Sequence, residues 1–293
     1  MRRKRSGVFA AVLALAAGAV VIARLGLPPL WNGAPTAAPD AFPSPEAAFA
    51  EVGGLPEERP ARAFVDRLVN TGYAVAYDEN LLTPLWAAYY CGPKSPFEAG
   101  DRDRLSFSAD NRIAERARLR SADFKSPANG PRFDRGHMAP NYAIATRYGE
   151  IAQRETFRLT NIVPQRSELN QTFWRLIDER IANRYAPGFA GVWVVVGPVF
   201  DAKPERLNGR AAIPAAFFCI VLDREESTGR LRALALIVPQ EAKGNQRLTG
   251  YATRIREIER RTGLDFFAAL PDPEETDLEN SLPDGAWEMD STR

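Results

Sequence analysis

The C-terminal half of the chain sets the strongest limit on its fold. Residues 191–196, 216–222 and 231–238 are apolar runs that read as buried strands, and no helical pattern separates them. Upstream, 73–77 and 84–90 are aromatic and β-branched runs split by Asp78-Glu79-Asn80, which predicts a hairpin. Residues 157–163 read as a further strand and 167–185 as a helix. Residues 246–262 read as a second helix, closed by Gly263. Residues 46–71 read as helical pieces broken at Gly53-Gly54 and Pro56. Strand runs interrupted by two or three helices predict an α+β domain with a mostly antiparallel central sheet flanked by helices. The lack of alternating βα units argues against a doubly wound sheet.

The two ends read differently from this core. Arg2, Arg3, Lys4 and Arg5 precede an apolar or small-residue run at 7–23, closed by Arg24. A bilayer core needs about 20 residues and a terminal Arg can snorkel, so 1–24 reads as an uncleaved signal anchor, with a cleaved signal peptide as the alternative. The positive-inside rule then places the rest of the chain at a bacterial inner membrane facing the periplasm, or free in the periplasm after cleavage. A mitochondrial presequence is the third reading, but such segments are amphipathic and this one is apolar all round. Residues 25–45 hold Pro28, Pro29, Pro35, Pro39, Pro43 and Pro45 and read as a semi-stiff linker. The folded part is then 46–271, and 272–293, acidic and without periodicity, reads as a disordered tail.

Composition narrows the chemistry. The 293 residues carry 38 Lys and Arg against 37 Asp and Glu, but the charge is segregated. Residues 101–184 hold 16 Lys and Arg against 11 Asp and Glu, while 264–293 holds one Arg against nine acids. A basic middle suits an anionic partner, and equally a solvated face. His137 is the only histidine, and Cys91 and Cys219 lie 128 positions apart, so zinc sites built on several imidazoles are excluded. The two cysteines read as buried free thiols, or as a disulfide if their strands are neighbours.

The informative stretch is 134–141, DRGHMAPN, where four functional residue types surround a Gly that permits close backbone approach. It is followed by TNIVPQ at 160–165, LNQTFW at 169–174, VVVGPVF at 194–200 and REIERRTGLDFF at 256–267. On these residues, from about Tyr73 to Pro271, the chain resembles the DNA/RNA non-specific endonuclease family, the ββα-metal or His-Me finger nucleases.

The resemblance implies Mg²⁺-dependent hydrolysis of DNA and RNA phosphodiesters to 5′-phosphate products, with Mn²⁺ as a substitute metal, and a homodimer. It puts His137 in the place of the general base and Asn170 in that of the direct metal ligand. Where the family has a Glu holding metal-bound waters, this chain has Asp178. Ideal helix geometry sets Asp178 about 80° around the axis from Asn170, and Glu179 about 180°. Arg135 and Arg104 match phosphate-contacting arginines, with Arg102 as the substitute for Arg104. Asp134, Asn161 and Gln165 match positions of supporting hydrogen bonds, and Phe173 and Trp174 belong to the core. Two alternatives stay open: a non-catalytic nucleic-acid-binding or scaffold protein on this fold, and a phosphoesterase for small or lipid-linked diesters.

Overall fold

In the computed structural model, residues 43–95 and 99–290 are described, so the anchor read at 1–24 and most of the 25–45 linker lie outside the described residues. The folded part opens with α1 (Pro45–Ala50), where the Ser44 hydroxyl accepts the Ala47 N–H. The helical reading of 46–71 holds only for this turn and a half. Beyond Gly53 and Gly54, both at positive φ, the chain extends into β1 (Glu57–Glu58) and β2 (Val65–Asn70). Pairing of β2 along the whole of β3 (Tyr73–Asp78) outweighs the weak local preference for helix.

β3 and β4 (Thr83–Cys91) form the expected hairpin. β5 (Phe133–His137) and β6 (Ile162–Arg166) make a separate antiparallel pair. β7 (Val192–Val199), β8 (Ala216–Arg224) and β9 (Leu231–Pro239) complete the central sheet, whose order is β2-β3-β4-β7-β8-β9 with every pairing antiparallel. The strand read at 157–163 starts late: Leu159–Asn161 is a 3₁₀ turn. The Asn161 side chain fixes that turn, accepting the Ala139 N–H and donating to the Ala139 and Thr156 carbonyls.

Helix α2 (Asn141–Glu155), which has no counterpart in the sequence reading, leads from β5, and residues 167–188 form α3 directly after β6. Within α3, Asn170–Trp174 and Ile181–Tyr185 are π-helical. α4 (Ile255–Thr262) ends at Gly263, φ 69°, as the sequence predicts, but starts later than 246 because Leu248–Tyr251 is a 3₁₀ turn laid along the edge of β9. One face of the sheet, with Tyr89, Val194 and Phe217, packs against β5, β6 and α3 through Met138, Ile162, Phe173 and Trp174. The other face, with Trp86, Phe218 and Ile220, packs against α1 and α4. The sheet is therefore a rigid floor under the motif-bearing layer.

The acidic tail is ordered through residue 290, against the expectation of disorder. α5 (Asp272–Asn280) has Asp272, Glu274 and Glu275 in its first turn, where they complement the helix dipole, and Leu278 is buried. Further on, Trp287 is fully buried, its ring 5.4 Å from Tyr185 and 5.1 Å from Phe189. A low average hydrophobicity hides these two anchors, whose burial offsets the ordering entropy. Cys91 and Cys219 are buried free thiols, because β7 runs between their strands. Burial pushes the Cys91 thiol up to about 11. Among the described residues no helix is long and apolar enough to cross a membrane.

Candidate active site

β5, β6 and α3 form a strand–strand–helix unit in which Asp134 faces Gln165 and His137 faces Ile162 across the ladder. Gly136 is required by this packing: a Cβ there would lie 2.4 Å from Gln165 Oε1. A cavity of 1090 Å³ opens over the unit, and it gathers Arg135 and His137 from β5 with Asn170 and Asp178 from α3.

His137 is 9% exposed, its ring 5.4 Å from Phe107 and 5.1 Å from Phe157. Burial first, and then the charges of Arg102 and Arg135, hold its pKa down to about 3. Its imidazole is therefore neutral at pH 7 and can accept a proton. Nε2 is buried and has no hydrogen-bond partner among the described residues. Phe107 also carries the Arg135 guanidinium, 4.4 Å from its ring centroid. That one ring touches both candidate groups was not evident in the sequence.

Asn170 is oriented by Asp134. The Asp134 carboxylate accepts from Asn170 Nδ2 at 2.9 Å, from Ser167 Oγ at 2.7 Å and from Gln171 Nε2 at 2.8 Å. Burial raises the Asp134 pKa, but these three bonds outweigh it and keep the carboxyl below its ordinary value. With Nδ2 engaged, the Asn170 carbonyl oxygen is the atom left for a ligand.

Asp178 lines the same cavity, with no side-chain hydrogen bond among the described residues, and burial followed by the Glu179 charge pushes its pKa well up. The ideal offset of 80° does not apply, because the π segment Asn170–Trp174 winds through a smaller angle per residue and reduces it. Glu179 also reaches the cavity wall, where it pairs with Arg175. The oriented Asn170 amide oxygen and the Asp178 side chain, both on the cavity wall, are oxygen donors of the kind Mg²⁺ takes, few in number because the ion keeps most of its waters. A second carboxylate group, Glu259, Asp265 and Glu279, lies on the opposite side of the sheet, and Arg59 and Arg256 pair with it.

Arg104 is not brought to the site. It is largely exposed and pairs with Asp101 at 3.1 Å, whereas Arg102 lines the cavity and bears on His137. Both sit in the 3₁₀ turn Arg102–Arg104, where residues two apart point about 120° from each other. Arg102→Ala is expected to raise KM for oligonucleotides several-fold, and Arg104→Ala to leave it near wild type; steady-state kinetics of the two variants decides between them. Lys125 and Arg175 add cations to the rim, and the N-terminus of α2 opens into the cavity without a side-chain cap.

A family model described as DNA/RNA non-specific endonuclease matches residues 60–273. The mitochondrial nuclease EXOG of Danio rerio is 30% identical over 238 residues, covering 77% of this chain and 66% of that protein, so the chain spans just under two thirds of that relative's length. The mitochondrial endonuclease G of Homo sapiens is 28% identical over 207 residues, 66% of this chain and 67% of that protein. A solved structure of an EndoG/EndoGI complex superposes with a TM-score of 0.66 at 20% identity over 80% of this chain and 96% of the other, a likeness of fold. With a family match over most of the folded part, the chain belongs to the DNA/RNA non-specific endonuclease family.

Proposed function

We propose that this chain is a Mg²⁺-dependent nuclease that hydrolyses phosphodiesters of DNA and RNA, leaving 5′-phosphates, with Mn²⁺ able to substitute. The observation that carries the reading is the meeting, in one cation-lined cavity, of a neutral buried imidazole with an asparagine whose amide is fixed by a carboxylate. Arg135 and Arg102 hold the phosphate, and its negative charge offsets theirs, which raises the proton affinity of His137 as substrate enters. His137 takes the proton of the attacking water as its oxygen bonds to phosphorus. The bond to the 3′ oxygen breaks, and that oxygen leaves with a proton from solvent. Asn170 and Asp178 would hold the metal and its waters, and the metal, when bound, neutralises charge developing on the phosphate and leaving oxygen. None of these groups reads a base or a 2′ position, so weak sequence preference and no sugar preference follow. The basic cluster at 2–5 and the apolar run 7–23 support delivery of the domain to or across a membrane.

Incubation with supercoiled plasmid and with RNA is the test. Both are expected to be cleaved in Mg²⁺ and neither in EDTA. Cleavage that persists in EDTA, or failure to cleave either substrate with any divalent metal, would overturn the reading.

A further inference from the structure

Tyr142 is the second residue of α2, five positions after His137, and it lines the cavity that holds His137 and Asn170. It is 44% exposed and belongs to neither core cluster. The other aromatics of the cavity differ: Phe124 is buried in the core, and Phe107 and Phe133 pack against it. Yet the Tyr142 ring is held in place. Its hydroxyl accepts from Lys94 Nζ at 2.9 Å and donates to Asn183 Oδ1 at 3.5 Å, and Nζ lies 5.4 Å from the ring centroid. Lys94 follows β4 and Asn183 lies in α3, so two separate elements grip one exposed ring. Those contacts cover no apolar core; they fix a side chain whose ring stays at the cavity mouth.

We propose that Tyr142 is a base-stacking subsite, taking an unstacked nucleobase next to the phosphodiester held at His137. The inference rests on the nuclease reading of the same cavity and adds a substrate class to it: single-stranded or locally opened nucleic acid. Every base has a π face, so such a platform adds affinity without reading sequence. Its ring is ordered before substrate arrives, so little entropy is lost on stacking. In an intact duplex the base is already stacked, and extracting it costs a few kcal/mol, which cancels the gain.

Equilibrium binding of fluorescein-labelled single-stranded and duplex oligonucleotides in EDTA tests this without cleavage, using wild type, Tyr142→Ala and Tyr142→Trp. Tyr142→Ala is expected to raise Kd for the single strand by about 5- to 150-fold, with a smaller change for the duplex, while Tyr142→Trp stays close to wild type. Equal losses on single strand and duplex, or a Trp variant as weak as the Ala variant, would overturn it. Cleavage in Mg²⁺ is scored separately: strong Tyr142-dependent binding by a wild type that cuts nothing would sink the nuclease reading and leave the stacking subsite standing.

Discussion

His137→Ala is expected to slow cleavage of plasmid and RNA by about 100- to 10,000-fold, the range for losing a positioned general base, with little change in KM. The side chain sits against Phe107 and Phe157, and its pKa is held near 3 by burial and by Arg102 and Arg135. In the substrate-free enzyme the imidazole therefore stays neutral below pH 6.5, so kcat/KM, which reports the free enzyme, should hold there where an ordinary histidine base would already be protonated. The same shift has a signature in stability. A histidine whose folded pKa lies below its unfolded value opposes protonation on folding, so stability is full above about pH 6.5 and declines as pH falls toward 3. Removing the imidazole removes that decline. Urea denaturation of wild type and variant across pH 4 to 7 should show the wild type losing ground to His137→Ala as acid is added. Groups such as Asp178 and Glu259, raised by burial, act in the opposite sense but are common to both proteins and cancel in the difference. Undiminished cleavage by the variant would remove His137 from the mechanism.

The sequence carried the sheet well, because β3, β4, β7, β8 and β9 are paired over most of their length and buried on both faces, so their apolar runs have no competing helical period. It failed where a local pattern is weak and a distant partner decides. β2 exists through its pairing with β3, and the tail through Leu278 and Trp287. α2 is broken at Gly149, φ 85°, which interrupts the apolar period that would have revealed it, although Pro140 ahead of it was a legible start signal. Of the residues read as the site, the fold brings His137, Arg135, Asn170 and Asp178 to one cavity. Arg104 lies away from it, because a spacing match cannot tell which way a side chain leaves a 3₁₀ turn. The π segment at Asn170–Trp174 was equally invisible, and with it the actual angle between Asn170 and Asp178.

Asp134→Asn should be more damaging than its near-identical shape suggests. In the native site the carboxylate can only accept, so Asn170 must present its amide nitrogen to Asp134 and its carbonyl oxygen to the cavity. An asparagine at 134 brings an NH₂ group as well as a carbonyl, and it can donate to the Asn170 oxygen. Asn170 then loses its reason to face one way, and a flipped amide directs an NH₂ group at the position a cation would take. The Ser167 and Gln171 donors, which now converge on the same carboxylate, reinforce the native orientation and would compete for one remaining acceptor. The expected result is a rise of about 10- to 100-fold in the Mg²⁺ concentration for half-maximal cleavage, the usual scale for losing a group that orients a metal ligand. Saturating Mg²⁺ should restore much of the rate, because His137 and Arg135 are untouched. Asp134→Ala, which leaves the Asn170 amide without its Asp134 acceptor, should raise the Mg²⁺ requirement less than Asp134→Asn, even though it deletes more atoms. A metal titration of cleavage with both variants separates orientation from packing: if the alanine variant needs more Mg²⁺ than the asparagine variant, Asp134 serves to hold α3 against β5 and not to direct the Asn170 amide.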